Sequence, residues 1–134
     1  MAAGQHRRLE RLTRLLERLD LEARRGVLIV VEGKNDCKAL SALGISGSFF
    51  CLKNTGNILA DQLDEIEGDE VILLVDFDRE GEELSKSVIS YLGCRGVKVR
   101  TYLWRGMKAL VKRDVKDVEG LPSYLERLKK NIEI

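Results

Sequence analysis

The stretch that decides the fold is Val27-Leu28-Ile29-Val30-Val31-Glu32-Gly33, and a second stretch repeats its plan as Val71-Ile72-Leu73-Leu74-Val75-Asp76-Phe77-Asp78. Each begins with five consecutive apolar residues, most of them β-branched, which is typical of a strand buried on both faces of a sheet. Each apolar run then stops abruptly at carboxylates. The sequence therefore predicts two central strands of a parallel sheet with acidic residues at their carboxyl ends.

The segments around these two runs alternate between strand and helix signals. Two further strands are predicted at 48–52 and 97–104, the latter at a sheet edge because polar and apolar residues alternate along it. Strands that alternate with helices indicate βαβ units with right-handed crossovers. We therefore predict an α/β fold, with about four mainly parallel strands and helices on both faces. The predicted helices are 35–43, begun by Asn35 or Asp36, 58–67 and 84–92.

Helices are also predicted at both ends of the chain. Over residues 5–24 leucines recur at helical spacing, at Leu9, Leu12, Leu16 and Leu19. Two heptads leave two alternatives open, packing against the domain or a homodimer seam. A last helix begins at Leu121-Pro122 and runs through Lys130. A helix over 105–118 would place four basic residues on one face, Arg105, Lys108, Lys112 and Lys116.

The composition is that of an ordinary globular domain, with 34% charged residues and a net charge of +1. No apolar run approaches the roughly 18 residues of a membrane span, and no secretory leader is recognised, so we expect a cytoplasmic protein whose three cysteines are reduced. Residues 61–83 contain eleven acids and one base, whereas residues 95–116 contain eight bases and one acid. An acidic centre beside a basic surface is expected of a metal site that acts on a polyanion, and solvated helix faces are the alternative.

Three carboxylates stand where the two buried strands end. Ligands of an open parallel sheet bind outside the carboxyl ends of its strands. Residues i and i+2 leave a strand in the same direction, so Asp76 and Asp78 can converge, and Glu32 joins them if the two strands are neighbours. Oxygen ligands without histidine or cysteine favour Mg²⁺ or Mn²⁺ over zinc. The alternative for Asp78 and Glu80 is that they cap the following helix.

Two short motifs resemble the signature motifs of the Toprim domain. They are residues 31–36, Val-Glu-Gly-Lys-Asn-Asp, and residues 75–82, Val-Asp-Phe-Asp-Arg-Glu-Gly-Glu. That domain is shared by type IA and type II topoisomerases, bacterial replicative primases, recombination-repair proteins and ribosomal-RNA maturation ribonucleases. The resemblance spans about residues 27–103, with motifs most like those of type IA topoisomerases and maturation ribonucleases. It implies a Rossmann-like Toprim fold in a small stand-alone prokaryotic protein.

The resemblance also implies roles for individual residues. Glu32 matches the family glutamate that acts as general acid or base and touches the metal, and Asp76 and Asp78 match the pair that binds one or two Mg²⁺ ions. Two basic residues, Lys34 and Arg79, stand beside these acids in the sequence. The alternative role for each is an ion pair with a neighbouring carboxylate. The residues expected to bind substrate or phosphate are Gly33, Lys34, Gly56, Arg79 and Gly81.

Two functions follow as hypotheses. The first is Mg²⁺-dependent cleavage or transfer of a phosphodiester in RNA or DNA, with Glu32 moving a proton. The second is a non-catalytic module that binds nucleic acid or a ribonucleoprotein. In both, the basic stretch would track the phosphate backbone while Tyr102 and Trp104 stack on bases. A protein partner could supply missing parts. The expected divisions are an N-terminal amphipathic helix, 1–25, a Toprim domain, 26–104, and a basic helical extension packed on it, 105–134.

Overall fold

The protein is described by a computed structural model that covers residues 2–52 and 58–132. Within that part of the chain, four strands form one parallel sheet in the order β2-β1-β3-β4. This confirms the predicted α/β fold and places β4 at an edge. The strands are β1 (Leu28–Val31), β2 (Phe49–Cys51), β3 (Glu70–Leu74) and β4 (Lys98–Arg100).

Helices connect the strands and cover the sheet. The chain moves from β1 to β2 and from β3 to β4 in opposite directions across the sheet. Right-handed crossovers therefore place the two connecting helices, α2 and α4, on opposite faces, and the topological switch point falls between β1 and β3. The helices of the described residues are α1 (Ala2–Arg24), α2 (Lys34–Ala42), α3 (Leu59–Leu63), α4 (Arg79–Cys94), α5 (Tyr102–Val111) and α6 (Leu121–Ile132), with a 3-10 turn at Val118–Gly120.

The N-terminal helix packs inside the molecule. Three of its predicted leucines, Leu12, Leu16 and Leu19, are buried in the core, where α1 contacts α5 and α6. Full burial of each leucine stabilises the fold by about 1.5–3 kcal/mol. Because this leucine face is used within the chain, a homodimer would need a different surface. In the described part of the chain, no helix combines the length and the apolar character that crossing a membrane requires.

The prediction of a strand over 97–104 is wrong beyond Arg100. Strand β4 pairs only with the first half of β3, from Glu70 to Ile72, and the chain then turns into α5. The buried residues of α5 repeat at helical spacing, at Leu103, Trp104, Met107 and Val111. The short alternating pattern at 97–103 overlapped the start of this longer helical pattern, and core packing favours the helix.

Two smaller expectations also change. Helix α5 ends at Val111, so the predicted helix over 105–118 is present only as far as 111, and Lys112 and Lys116 lie beyond its end. Helix α2 begins one residue after Gly33 rather than at Asn35 or Asp36. Asp36 instead lies in the first turn, where its carboxylate accepts a hydrogen bond of 3.1 Å from the Gly33 amide. This bond still satisfies an amide at the helix start, as a cap would.

Candidate metal and phosphate site

Glu32 and Asp76 meet at the switch point of the sheet. Strands β1 and β3 are hydrogen-bonded neighbours with Val31 beside Leu74. Glu32 follows Val31 directly, and Asp76 follows Leu74 after one residue, Val75. Both side chains line one depression, and they are close enough for Asp76 to raise the pKa of Glu32. The structure therefore brings these two of the three predicted acids together.

The electrostatics of this pair are those of crowded acids. Burial raises the pKa of Glu32 to about 8, with further contributions from the hydrogen bond to Asp76 and from the negative charges of Asp76, Asp36 and Asp78. Burial also raises the pKa of Asp76, and nearby carboxylates add to it. A group with its pKa near neutrality, in contact with a second acid, is suited to proton transfer.

Asp78 is placed differently from the other two acids. Its side chain accepts a hydrogen bond of 2.8 Å from the Gly81 amide and so caps the N-terminus of α4. The capping alternative raised from the sequence therefore holds for one oxygen of Asp78. Among residues 2–52 and 58–132, no three His, Cys, Asp or Glu side chains are grouped so as to hold one ion in common.

The acid pair opens into a depression of about 450 Å³ that contains further carboxylates. Asp36 comes from α2, and burial raises its pKa. Asp117 and Glu119 come from the connection between α5 and α6, which is tied to the site by a hydrogen bond of 2.6 Å from the Phe77 amide to the Lys116 carbonyl. Neither acid was identified in the sequence, because no local pattern signals that this distant segment returns to the strand ends.

Only some of the residues predicted to bind phosphate line the depression. Lys34 and Gly33 line the depression, whereas Arg79 is exposed at the start of α4. In the described ranges neither Lys34 nor Arg79 forms an ion pair, so the alternative of pairing with a neighbouring acid gains no support. The expected contribution of Gly56 lies outside the described residues.

Gly81 has a packing role. A Cβ atom at this position would lie 2.0 Å from the carbonyl oxygen of Asp76 and 2.8 Å from its carbonyl carbon. At Gly33, in contrast, a Cβ atom would meet nothing within 4 Å. Close packing of α4 against the end of β3 therefore accounts for glycine at 81, while the fold itself does not require glycine at 33.

Half of the basic stretch between residues 95 and 116 is used inside the molecule. Arg95 donates to the Leu63 and Ile66 carbonyls, and Arg100 pairs with Glu70 and Glu22. Trp104 is fully buried and cannot stack on bases as predicted, whereas Tyr102 is exposed. Two more of its cations lie over the Trp104 ring and pair with Glu82, namely Arg105 and Lys108.

The fold and the site together place the protein among α/β domains with an open parallel sheet and two acids at its topological switch point. The sequence model of the Toprim domain matches residues 26–102, more than half of the chain. The chain therefore belongs to the Toprim domain family.

Its relatives of similar length are UPF0292 proteins of archaea. One from Methanocaldococcus jannaschii is 37% identical over 119 residues, covering 88% of this chain and 92% of the relative. One from Methanosarcina acetivorans is 32% identical, covering 92% and 85%. A solved structure of a protein from Aquifex aeolicus shares the fold with a TM-score of 0.64 and 33% identity, covering 79% of this chain and 94% of that one.

The acid pair predicts how stability depends on pH. Without divalent cations, the free energy of unfolding should fall as the pH rises from about 5 to about 8. In this window Glu32 is ionised when unfolded, with its ordinary pKa of 4.5, but keeps its proton when folded. Unfolding therefore releases a proton and is favoured by rising pH. Glu32→Gln removes this contribution.

Urea denaturation at about pH 5 and about pH 8.5 measures the effect. From the lower to the higher pH, the free energy of unfolding of Glu32→Gln should rise by about 1–2 kcal/mol relative to that of wild type. This expected difference is reduced for solvent screening, because the acid pair is half-exposed. The control is Glu10→Gln, at an exposed position of α1, which should differ from wild type by the same amount at both pH values. The same constant difference for Glu32→Gln would contradict the prediction.

Proposed function

We propose that this protein carries out Mg²⁺-dependent phosphodiester cleavage or transfer on nucleic acid. Toprim membership associates the chain with metal-dependent chemistry on nucleic acid, and the proposal assigns that chemistry to the acid pair. The observation that carries it is the meeting of Glu32 and Asp76 at the switch point, where open α/β sheets bind their ligands.

The donor atoms of the site fit a hard divalent cation. Burial and the neighbouring carboxylates raise the pKa of Glu32 to about 8, and a cation that replaces its proton would relieve the repulsion between Glu32 and Asp76. Mg²⁺ is usually held by one or two carboxylates together with waters and substrate phosphate. In this proposal Asp76 and Glu32 hold the ion, Mn²⁺ can replace it, and Asp78 supports the set from its capping position. The bound ion would polarise a phosphate and offset its developing charge.

A negative depression needs such a neutralising charge before it can accept a polyanion. Of the described residues that line it, five are carboxylates and one is a cation, Lys34, so phosphate without a bound cation would be repelled by these acids. Lys34 contributes the positive charge that a phosphate oxygen can pair with. The open space above Gly33 lets a phosphate approach the backbone. Glu32, with its raised pKa, gives or takes the proton of the attacking or leaving oxygen.

The nucleic-acid backbone would contact the exposed arginines of α1. Arg7, Arg11 and Arg14 lie on one face of this helix, and in residues 2–52 and 58–132 none of them forms an ion pair. Helix α1 packs beside α5, and Arg8 reaches Asp114 near the connection that borders the acid site. Exposed guanidinium groups without an acidic partner favour salt-dependent binding of phosphates.

The test compares wild type, Glu32→Gln and Asp76→Asn on labelled structured RNA and single-stranded DNA, with Mg²⁺ and with a chelator. Wild type should cleave or join substrate only with the metal, and each variant should lose about 100-fold or more in rate, because Glu32 moves a proton and both acids hold the ion. The control is Asp69→Asn, an exposed acid before β3, which should keep full activity.

Two outcomes would decide against catalysis. Equal rates in wild type and both site variants would show that the acid pair is not the reacting centre. Salt-sensitive binding of RNA or DNA by all four proteins, without any Mg²⁺-dependent or Mn²⁺-dependent product, would favour the non-catalytic binding module instead.

A further inference from the structure

Two of the three cysteines are in contact in the fold. Cys37 lies in the first half of α2 and Cys51 is the last residue of β2, and their Sγ atoms are 2.9 Å apart. The sulfur atoms of a disulfide are about 2.05 Å apart, and Cys37 and Cys51 are free cysteines whose sulfur atoms are in direct contact. The sequence separates them by 14 positions and gives no indication that they meet.

The pair is both held in place and accessible. Cys51 lies beside Val31 in the parallel register, and the next amide, of Leu52, donates to the Val31 carbonyl at 2.8 Å. Cys37 packs against the core from α2. Both side chains nevertheless remain partly exposed, so a small reagent can reach the sulfur atoms without unfolding the chain. The third cysteine, Cys94, is exposed at the end of α4, away from the pair.

We propose that Cys37 and Cys51 form a redox-modification site, in which a small-molecule disulfide converts them reversibly into an intramolecular disulfide. One protein thiolate attacks the reagent, forms a mixed disulfide and releases one thiol. The second protein sulfur then attacks the first, forms the intramolecular bond and releases the second thiol. The two protein thiols are oxidised, the reagent is reduced by two electrons, and two protons pass to the two released thiols.

The surroundings of the pair slow the first attack. Burial raises the pKa of Cys37 to about 12, and a protonated thiol is a poor nucleophile. Whichever thiol attacks first, the other lies in contact with it and completes the exchange. Because the sulfur atoms already touch, the second step is favoured over a lasting mixed disulfide. The chemistry does not involve the Glu32–Asp76 pair.

The bond should stabilise the fold measurably. It would tie α2 to the end of β2 and close a loop of about 15 residues, which removes conformational freedom from the unfolded chain. For a chain of this length the thermal midpoint should rise by about 10 °C on oxidation, and a reducing agent such as dithiothreitol should reverse the change.

The experiment uses the full chain with Cys94→Ser, which leaves only the pair. After incubation with oxidised glutathione and an acid quench, intact mass should fall by about 2 Da, with no thiol left for a maleimide to label. Cys37→Ser and Cys51→Ser, each combined with Cys94→Ser, should instead retain one glutathione and show no rise in thermal midpoint.

Three results would overturn the proposal. The first is a Cys94→Ser protein that keeps both thiols or carries glutathione on both under conditions that oxidise dithiothreitol. The second is a bond that forms only between two chains, seen as a dimer on a non-reducing gel. The third is an oxidised monomer with a lower thermal midpoint than the reduced one, which would mean that the bond forms only by distorting the fold.

Discussion

Gly81→Ala should lower the free energy of unfolding by about 3 kcal/mol or more, because the added methyl group has no space to occupy. It would lie 2.0 Å from the Asp76 carbonyl oxygen, and this oxygen belongs to the backbone and cannot rotate away. The start of α4 must therefore move from the end of β3. That movement also disturbs the Gly81 amide, which donates to Asp78.

The matched control lies in the same helix. Gly93 is exposed near the end of α4, and a Cβ atom there would meet nothing within 4 Å. Gly93→Ala should be neutral or stabilising by up to about 1 kcal/mol, since alanine has the higher helix propensity. Urea denaturation followed by circular dichroism compares the two variants. A Gly81→Ala protein within about 1 kcal/mol of wild type would show that α4 does not depend on this close contact.

Trp104→Ala should cost about 3–5 kcal/mol, the range for removing a large aromatic residue from a core. Trp104 is fully buried, and its indole nitrogen donates a hydrogen bond of 2.8 Å to the Val75 carbonyl. Val75 immediately precedes Asp76, so this bond ties α5 to the strand end that carries the site. Lys108 and Arg105 cover the ring from outside, at 5.1 and 5.4 Å from its centre.

Two further variants separate the contributions at this position. Trp104→Phe keeps most of the apolar volume but leaves the Val75 carbonyl without its donor, so it should cost about 1–3 kcal/mol. Tyr102→Ala removes a largely exposed ring from the same helix and should stay within about 0.5 kcal/mol of wild type. Denaturation followed by circular dichroism is the measurement, because Trp104 is the single tryptophan. Equal costs for Trp104→Ala and Tyr102→Ala would contradict the assigned core position.

The sequence predicted the sheet well because its central strands carry long local signals. Five consecutive apolar residues followed by acids identify β1 and β3 without knowledge of the rest of the chain. The edge strand was harder to predict. Its alternation extends over few residues, and the helical period that begins near Leu103 overlaps it, so only packing against β3 decides that the strand ends at Arg100.

The site was predicted in part. Glu32 and Asp76 each follow a predicted central strand. Because such strands are commonly neighbours in a parallel sheet, the convergence of the two acids could be inferred from the sequence. The capping role of Asp78 was one of two alternatives from the sequence, and its hydrogen bond from the Gly81 amide decides for it. That Asp117 enters the depression depends on the α5–α6 connection, and such a long-range contact leaves no periodic trace in the sequence.

By itself, then, the amino-acid order determined the two central strands, the alternation of strands with helices around them, and the acids that follow these two strands, because these properties arise from neighbours along the chain. Only the tertiary structure decided that Trp104 is buried, that Cys37 touches Cys51, and that distant carboxylates share one depression. These depend on which elements become neighbours in space, and that choice is made by the packing of the whole core at once.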